Sequence, residues 1–312
     1  MAFNDSDKPL NLSDIYIDHL GNIYQVAISK HSEGAYYTPH TVGTKLAEYL
    51  RQLNVSQREK FGQNSSKVII DPACGSGQLL RVLIPFAHYF HSDNGQYIPK
   101  NSIRRSFISK LVGLDKDPVS VFICKIGLGL MGAESGMGLA KPRLMKQEDT
   151  LEAFLDSRKN FSELPREDIF AIVTNPPWES LEFQMGNLYR KVTGQTIPKK
   201  STLNSKDDEQ RREAERQTRT YESWAKNNQD IIDLEKLRIS QLTKTCDDIA
   251  EEHKEYFSGK KNLALYFIFV INKLLEKSNG SYIVVMPDRF LVGEACPVRD
   301  RLFREFEAYV PF

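Results

Sequence analysis

Cysteine is scarce in this chain of 312 residues: Cys74, Cys124, Cys246 and Cys296 are the whole complement, far apart and without a CxxC pair. That excludes a disulfide-stapled scaffold and a zinc ribbon, and it predicts a reducing compartment. His31, His40, His88, His91 and His253 have no Cys/His spacing for a metal, so they read as surface or packing residues and no metal is expected. Charge of one sign is missing too. Lys+Arg 42 against Asp+Glu 41 leaves a net +1, so a nucleic-acid partner must be held by a local basic surface and not by a global positive field. Long apolar runs are absent: the N-terminal MAFNDSDKPLNLSD lacks the core of a signal peptide, and Leu263 to Ile271 is too short to cross a bilayer. A soluble, cytoplasmic chain with no membrane partner is expected. No internal repeat or low-complexity tract occurs.

What is present permits a packed core, since hydrophobic residues make up 40% and charged residues 27%. The length allows about two domains, or one large α/β domain with elaborations. Residues 1–65 form an N-terminal segment in which Pro39 suits a helix start, with Val42, Leu46, Tyr49, Leu50 and Leu53 following at helical spacing. From 66 onward, short apolar runs alternate with helical patterns. KVIID (67–71), LVGLD (111–115), IFAIVTN (169–175) and SYIVVMP (281–287) read as buried strands. QLLRVLIPFAHYF (78–90), Val119 to Met131, the stretch from Asn262 to Gly280 and a last segment from about Pro297 to Glu307 read as helices. Alternation of this kind implies parallel pairing through right-handed crossovers, hence a doubly wound α/β sheet. Residues 66–184 and 259–312 are assigned to this core. Residues 185–258 break the pattern and read as a charged helical insertion. Between Arg190 and Arg219, nine Lys/Arg against five Asp/Glu give a local +4, while Thr220 to Phe257 reverses to −4.

Asp71-Pro-Ala-Cys-Gly-Ser-Gly77 lies between a strand and a helix, where ligands meet the carboxyl ends of parallel sheets. Gly75 and Gly77 allow a sharp turn and close approach of the backbone to a ligand. The third glycine of a dinucleotide fingerprint is replaced by Leu80, and the Gly-Lys-Ser/Thr of a P-loop is absent. A nucleoside ligand without phosphates therefore suits the loop, and S-adenosylmethionine is one. Asp115, at the end of the second strand in GLDKD, is placed to accept ribose hydroxyls. Asp149, in KQEDT, is placed to accept from an adenine amino group. The separation of 44 residues between Asp71 and Asp115 exceeds the usual ~20, and the polar stretch 91–105, read as an inserted loop, accounts for the excess.

Asn175-Pro176-Pro177-Trp178 follows the strand IFAIV. Two prolines stiffen the loop and donate no N–H, so carbonyl groups can face a ligand. The Asn175 side chain and the Pro176 main chain can together accept both hydrogens of an exocyclic NH₂ group. An aromatic amine is a poor nucleophile because its lone pair is delocalised, and two acceptors favour its tetrahedral, nucleophilic geometry. Trp178 offers a flat face for stacking a base, which in a duplex must first be flipped out. The competing reading is a rigid Pro-Pro turn beside a core tryptophan.

In this order the elements resemble the N-6 adenine-specific DNA methyltransferases of type I and type IIG restriction-modification systems and related phage-defence enzymes. The resemblance covers roughly residues 33–183 and 259–306. It implies a Rossmann-like class I methyltransferase sheet using S-adenosyl-L-methionine. It also implies that Tyr36, Tyr37, Thr38 and Pro39 contact the methionine end of the cofactor. Asp71, Ala73, Gly75 and Gly77 would form the cofactor loop, Asp115 with Lys116 the ribose site, and Asp149 with Thr150 the adenine site. Asn175, Pro176, Pro177 and Trp178 would be the catalytic (N/D)PP(Y/F/W) motif, Asn175 also bordering the cofactor; Trp178 replaces the commoner Tyr or Phe. Asn262, Phe267, VVMPDRFL (284–291) and Arg299 resemble the segment downstream of that motif. In the family the sheet continues through a closing strand pair and a target recognition domain. The expectation is thus a core truncated before its last strands, whose recognition function comes from a protein partner or a missing C-terminal domain, acting on double-stranded DNA.

Two other functions fit some of these residues. An Asn-Pro-Pro-aromatic loop also serves protein glutamine methyltransferases, which the Tyr-Thr-Pro segment and the large insertion disfavour. A truncated methylase fold could alternatively be a non-catalytic assembly subunit. Cys74 reads as a small apolar filler. The basic stretch 190–219 and Lys100, Arg104 and Arg105 read equally well as phosphate-tracking or as solvated surface.

Overall fold

The computed structural model describes residues 38, 43, 45–49, 61, 66–90, 100–133, 138–155, 168–178, 181–198, 200–204, 207–253, 262–276, 278 and 280–286. The expectations for Tyr36, Tyr37, Pro39, the 284–291 segment beyond 286, Arg299 and the last helix lie outside them. Of the helix expected after Pro39, residues 43 and 45–49 are described and helical. The chain divides into two compact units. One is built from described residues between 38 and 177 and between 267 and 286, the other from those between 178 and 266.

The first unit is organised by a sheet of five strands, β1 (Val68–Asp71), β2 (Leu111–Asp115), β3 (Leu144–Gln147), β4 (Ile169–Thr174) and β5 (Ser281–Val284), in the order β3-β2-β1-β4-β5. Every pairing is parallel, with Asp71 opposite Gly113, Asp115 opposite Gln147 and Thr174 opposite Val284. β1 and β4 are buried at every position, as continuous apolar runs must be when helices cover both faces. β3 and β5 are the sheet's edges among the described residues and are only half buried. This is a Rossmann-like α/β sheet.

The helices of this unit are α1 (Gln78–Leu83), α2 (Lys100–Ile108), α3 (Pro118–Met131) and α4 (Thr150–Leu155). α1 ends earlier than the apolar pattern suggests. Pro85 has no N–H to donate to the preceding turn, and residues Ile84–Phe90 tighten into a 3-10 helix. α2 corrects the reading of 91–105 as a loop throughout: residues 100–105 are helical, because Ile103, Phe107 and Ile108 share a core-facing side at helical spacing. α3 starts where Asp117 caps it, its carboxylate accepting from the N–H groups of Val119 and Ser120 at 3.3 and 3.0 Å, with Pro118 in the first turn. The core beneath is aliphatic and aromatic, with Ile69, Leu80, Leu83, Leu111, Leu128 and Ala171 among its buried members.

The second unit is helical: α5 (Met185–Thr193), α6 (Lys200–Leu203), α7 (Asp208–Asn227) and α8 (Gln229–Glu252). Tyr189, 2% exposed, packs edge-on against Tyr221 and Trp224, each ring centroid 5.1 Å away, and its hydroxyl donates to Gln195 Oε1 at 2.7 Å. Thr243 donates to the Leu181 carbonyl at 3.1 Å, and Lys191 pairs with Glu235 at 3.6 Å. These contacts hold α7 and α8 to α5. α9 (Leu263–Leu275) follows, its start fixed by Asn262, whose side chain accepts from the Ala264 N–H at 2.9 Å. No described helix is long and apolar enough to cross a membrane.

Candidate active site

In the order β3-β2-β1-β4-β5 the connections change direction between β1 and β4, which opens a crevice at their carboxyl ends. The sequence places its chemistry there. Asp71 ends β1, Asp115 ends β2, Asp149 follows β3, and Asn175 follows β4.

The glycine loop leaves β1 through a set of backbone bonds. Asp71 is 1% exposed, and its carboxylate accepts from the Ala73 N–H at 3.1 Å, turning the chain out of the strand. Cys74 donates its N–H to the Leu114 carbonyl of β2 at 2.9 Å, and Gly77 donates to the Cys74 carbonyl at 2.8 Å. Gly75 and Gly77 have φ of 50° and 86°, the left-handed region that favours glycine. Around Gly75 a side chain would meet nothing within 4 Å, so the loop presents open space at that position. At Gly77 a Cβ would fall 2.3 Å from the Cys124 sulfur, so here the glycine serves close packing against α3.

Asp115 binds this loop to its own strand end. One oxygen accepts from the Gly75 N–H at 2.8 Å and the other from the Asp117 N–H at 2.9 Å. Each carboxylate oxygen keeps a second lone pair for a hydroxyl donor. Burial pushes both carboxyls up. Asp71 rises to about 7 against the pull of the Ala73 N–H and the Thr174 hydroxyl, with the Asp115 charge adding to the rise. Asp115 is raised by burial and further by Asp149, and is held back by its two backbone donors and Lys116. Lys116 itself is exposed, its carbonyl accepting from Gln147 at 3.4 Å.

Asp149 caps α4, accepting through one oxygen from the Leu151 and Glu152 N–H groups at 3.0 and 3.3 Å. Thr150 is 2% exposed and its hydroxyl donates to the Pro72 carbonyl, tying the β3 end to the glycine loop. Thr38, also buried, accepts at 3.0 Å from the side-chain nitrogen of Asn175. In this arrangement the Thr38 hydroxyl accepts from the amide nitrogen, which puts the amide oxygen at the other end of the side chain. Pro176 is buried, while Pro177 and Trp178 are half buried.

One member of this arrangement does not stand out in the sequence. Arg81 is fully buried in α1, donating to the Ser76 carbonyl at 2.6 Å and to Gln78 Oε1 at 2.9 Å, so a guanidinium grips the glycine loop from below. It fits only because Gly127 of α3 has no side chain, where a Cβ would stand 2.9 Å from the guanidinium. A single charged residue within QLLRVL is the one signal available. Arg105 is likewise committed, donating to the carbonyls of Gly132 and Gly138, each at 2.8 Å, which takes it out of the set of candidate phosphate contacts. Cys74 is 5% exposed, and its thiol is pushed up by the adjoining Cys124 thiol and by burial, which leaves it unreactive at neutral pH.

Sheet order, glycine loop and strand-end acids define the class: an α/β domain of the methyltransferase kind. The family model of the N-6 DNA Methylases matches residues 12–208, and the chain belongs to that family. No curated protein sequence matches it. Among solved structures it is similar to the type IIG restriction endonuclease BpuSI, with 14% identity over 93% of this chain and 24% of that one, at a TM-score of 0.45. It is similar to DrdV, solved in complex with DNA, with 14% identity over 89% of this chain and 23% of that one, at a TM-score of 0.49. A modification subunit ascribed to a type I restriction enzyme of Vibrio vulnificus YJ016 shares 17% identity over 97% of this chain and 44% of that one, at a TM-score of 0.45. The chain spans about a quarter of the length of the first two.

Proposed function

We propose that this chain binds S-adenosyl-L-methionine and carries the catalytic residues for methyl transfer to the exocyclic amino group of adenine in double-stranded DNA. It would act in the cytoplasm, as part of a restriction-modification or phage-defence methylase. The observation that carries the proposal is the placement of two loops at one switch point: the glycine loop after β1, and Asn175 after the neighbouring β4 with its side-chain nitrogen 3.0 Å from the Thr38 hydroxyl.

The residues present suit the cofactor. Space is open at Gly75, Asp115 retains acceptor capacity on both oxygens, and no cation stands in the loop sequence to grip a phosphate. Asp115 and the Gly75–Gly77 backbone would hold the ribose side with Lys116 and Ala73 adjacent, Asp149 and Thr150 would border the adenine, and Tyr36, Tyr37, Thr38 and Pro39 the methionine end. Bound there, the cofactor supplies an electrophilic methyl group. The chain's own contribution is orientation. Asn175 Oδ1 and the Pro176 carbonyl accept the two amino hydrogens and favour a nucleophilic nitrogen, Pro177 stiffens the turn, and Trp178 supplies an aromatic face for the extruded base. No strong base is required, because the proton can leave after the methyl has arrived. Target recognition is assigned to a protein partner or a further domain.

Transfer of labelled methyl groups to unmethylated duplex DNA, with a release-factor peptide as the parallel acceptor, tests this in the assembled methylase. Asn175→Ala is expected to lower transfer to DNA by roughly 10²–10³-fold, the size of loss seen when one positioned transition-state contact is removed. Near-full activity of that variant, or transfer to the peptide alone, would overturn the proposal.

A further inference from the structure

The longest helices of the second unit carry a surface that the catalytic proposal leaves unused. Along α7, residues Arg212, Arg216, Arg219, Ser223, Lys226 and Asn227 recur at three- and four-residue steps, so they share one side of the helix. The opposite side is the packed one: Ala214 is 2% exposed and Tyr221 meets Tyr189. All six residues of the outer side are exposed. Arg216 is paired with Glu213 at 3.2 Å, whereas Arg212, Arg219 and Lys226 make no ion pair among the described residues. α7 carries five Lys/Arg and five Asp/Glu, and its outer side gathers four of the five cations in line. From Arg212 to Lys226 the stripe runs about 21 Å at 1.5 Å per residue.

Beside the stripe lies an open groove of about 560 Å³, whose lining includes Arg216, Arg219, Thr220, Ser223, Trp224 and Asn228. Cations, hydroxyls, an amide and an indole are the donor types that bind phosphate oxygens. The groove floor is firm, since Asn228 donates to the Trp224 carbonyl at 2.8 Å and the Trp224 ring packs against Tyr189 at 5.1 Å.

We infer that the outer side of α7 is a binding site for the sugar-phosphate backbone of duplex DNA. It rests on the proposed DNA substrate and adds a contact that positions the duplex without reading bases. Duplex DNA presents one negative charge per ~1.7 Å of axis, so a 21 Å line of cations can neutralise several phosphates and release their counterions. Contacts of this kind are sequence-independent and salt-sensitive.

The test uses the full chain and a fluorescent 30-base-pair duplex of arbitrary sequence, titrated by anisotropy at several salt concentrations. Replacement of Arg212, Arg219 and Lys226 together by Ala is expected to weaken binding at least tenfold at low salt. It should also reduce the slope of log affinity against log salt by about two to three, close to 0.9 for each phosphate no longer neutralised. Calorimetric titration with S-adenosylmethionine should be unchanged in the triple variant, which guards against a folding defect. Unaltered duplex affinity and slope would overturn the assignment. So would a loss of binding confined to polyglutamate, which would mark the stripe as a site for acidic protein. The two proposals fail separately. Duplex binding through α7 without any methyl transfer removes the catalytic reading alone, and transfer with an unaffected triple variant removes this site alone.

Discussion

A carboxylic acid sealed inside a fold and left without a cation holds on to its proton, and Asp71 is in that position. Its carboxyl, 3.8 in an open chain, rises to about 7 through burial, and the neighbouring Asp115 charge pushes the same way. Between those two values the folded chain binds a proton that the unfolded chain has released. Stability from this group is therefore fully present below 3.8 and is lost as pH rises toward about 7, at about 1.4 kcal/mol per pH unit. Asp71→Asn keeps an acceptor for the Ala73 N–H and removes the titration. Urea unfolding at pH 5 and pH 7 should show the wild type losing roughly 2 kcal/mol more than the variant over that span. Parallel pH dependence in both proteins would remove the buried protonated carboxyl from the account. Through its bond to the Ala73 N–H Asp71 also shapes the loop, so an Asp71 substitution should weaken cofactor binding at least in part through the backbone.

At the scale of elements, two glycines separated by one residue have opposite duties, and substitution separates them. Gly75→Ala meets no atom within 4 Å and suffers only its φ of 50°, a strain of roughly 1 kcal/mol. Gly77→Ala drives a methyl to 2.3 Å from the Cys124 sulfur and 3.2 Å from the Cys124 Cα, and the latter cannot swing away. It should cost roughly 2–4 kcal/mol through overpacking and strain combined. In thermal melts Gly77→Ala should fall well below wild type and Gly75→Ala only slightly, while calorimetry should find cofactor affinity reduced for Gly75→Ala, whose methyl enters the open space. Equal melting losses would sink this division. The loop was legible in the sequence because positive φ demands glycine at fixed offsets after a strand. β1, β2 and β4 were legible because strands buried on both faces are unbroken apolar runs. β3 escapes the apolar pattern, because LMKQ lies at a half-buried edge and carries two apolar residues, too few to set a period. α2 was hidden by the Asn, Gly and Pro residues before it. Arg81 was illegible for a different reason. Its burial depends on the missing side chain of Gly127, a coincidence of two residues on different helices that no local pattern records.

At the scale of the whole molecule, the groups assigned to the cofactor that the structure describes all belong to the first unit: Thr38, the glycine loop, Asp115, Asp149 and Asn175. Hydrogen bonds from Gly75 to Asp115 and from Thr150 to Pro72 tie the carboxyl ends of β1, β2 and β3 together, and the one from Asn175 to Thr38 ties the end of β4 to the N-terminal segment. A ligand held by several strand ends stabilises the sheet as a unit by mass action, about 2.7 kcal/mol at a hundredfold excess over its dissociation constant. The cofactor should therefore raise the melting temperature of the chain without DNA or a partner. Asp115→Ala should abolish that rise, because it removes both the hydroxyl acceptor and the anchor of Gly75. Asn175→Ala should leave most of the rise intact, since its proposed work is on the amine. Differential scanning fluorimetry across a cofactor titration measures all three. A wild type that never shifts would transfer cofactor binding to the assembled methylase, and an Asn175→Ala variant that loses the shift together with Asp115→Ala would make Asn175 a cofactor residue first and an amine-orienting residue second.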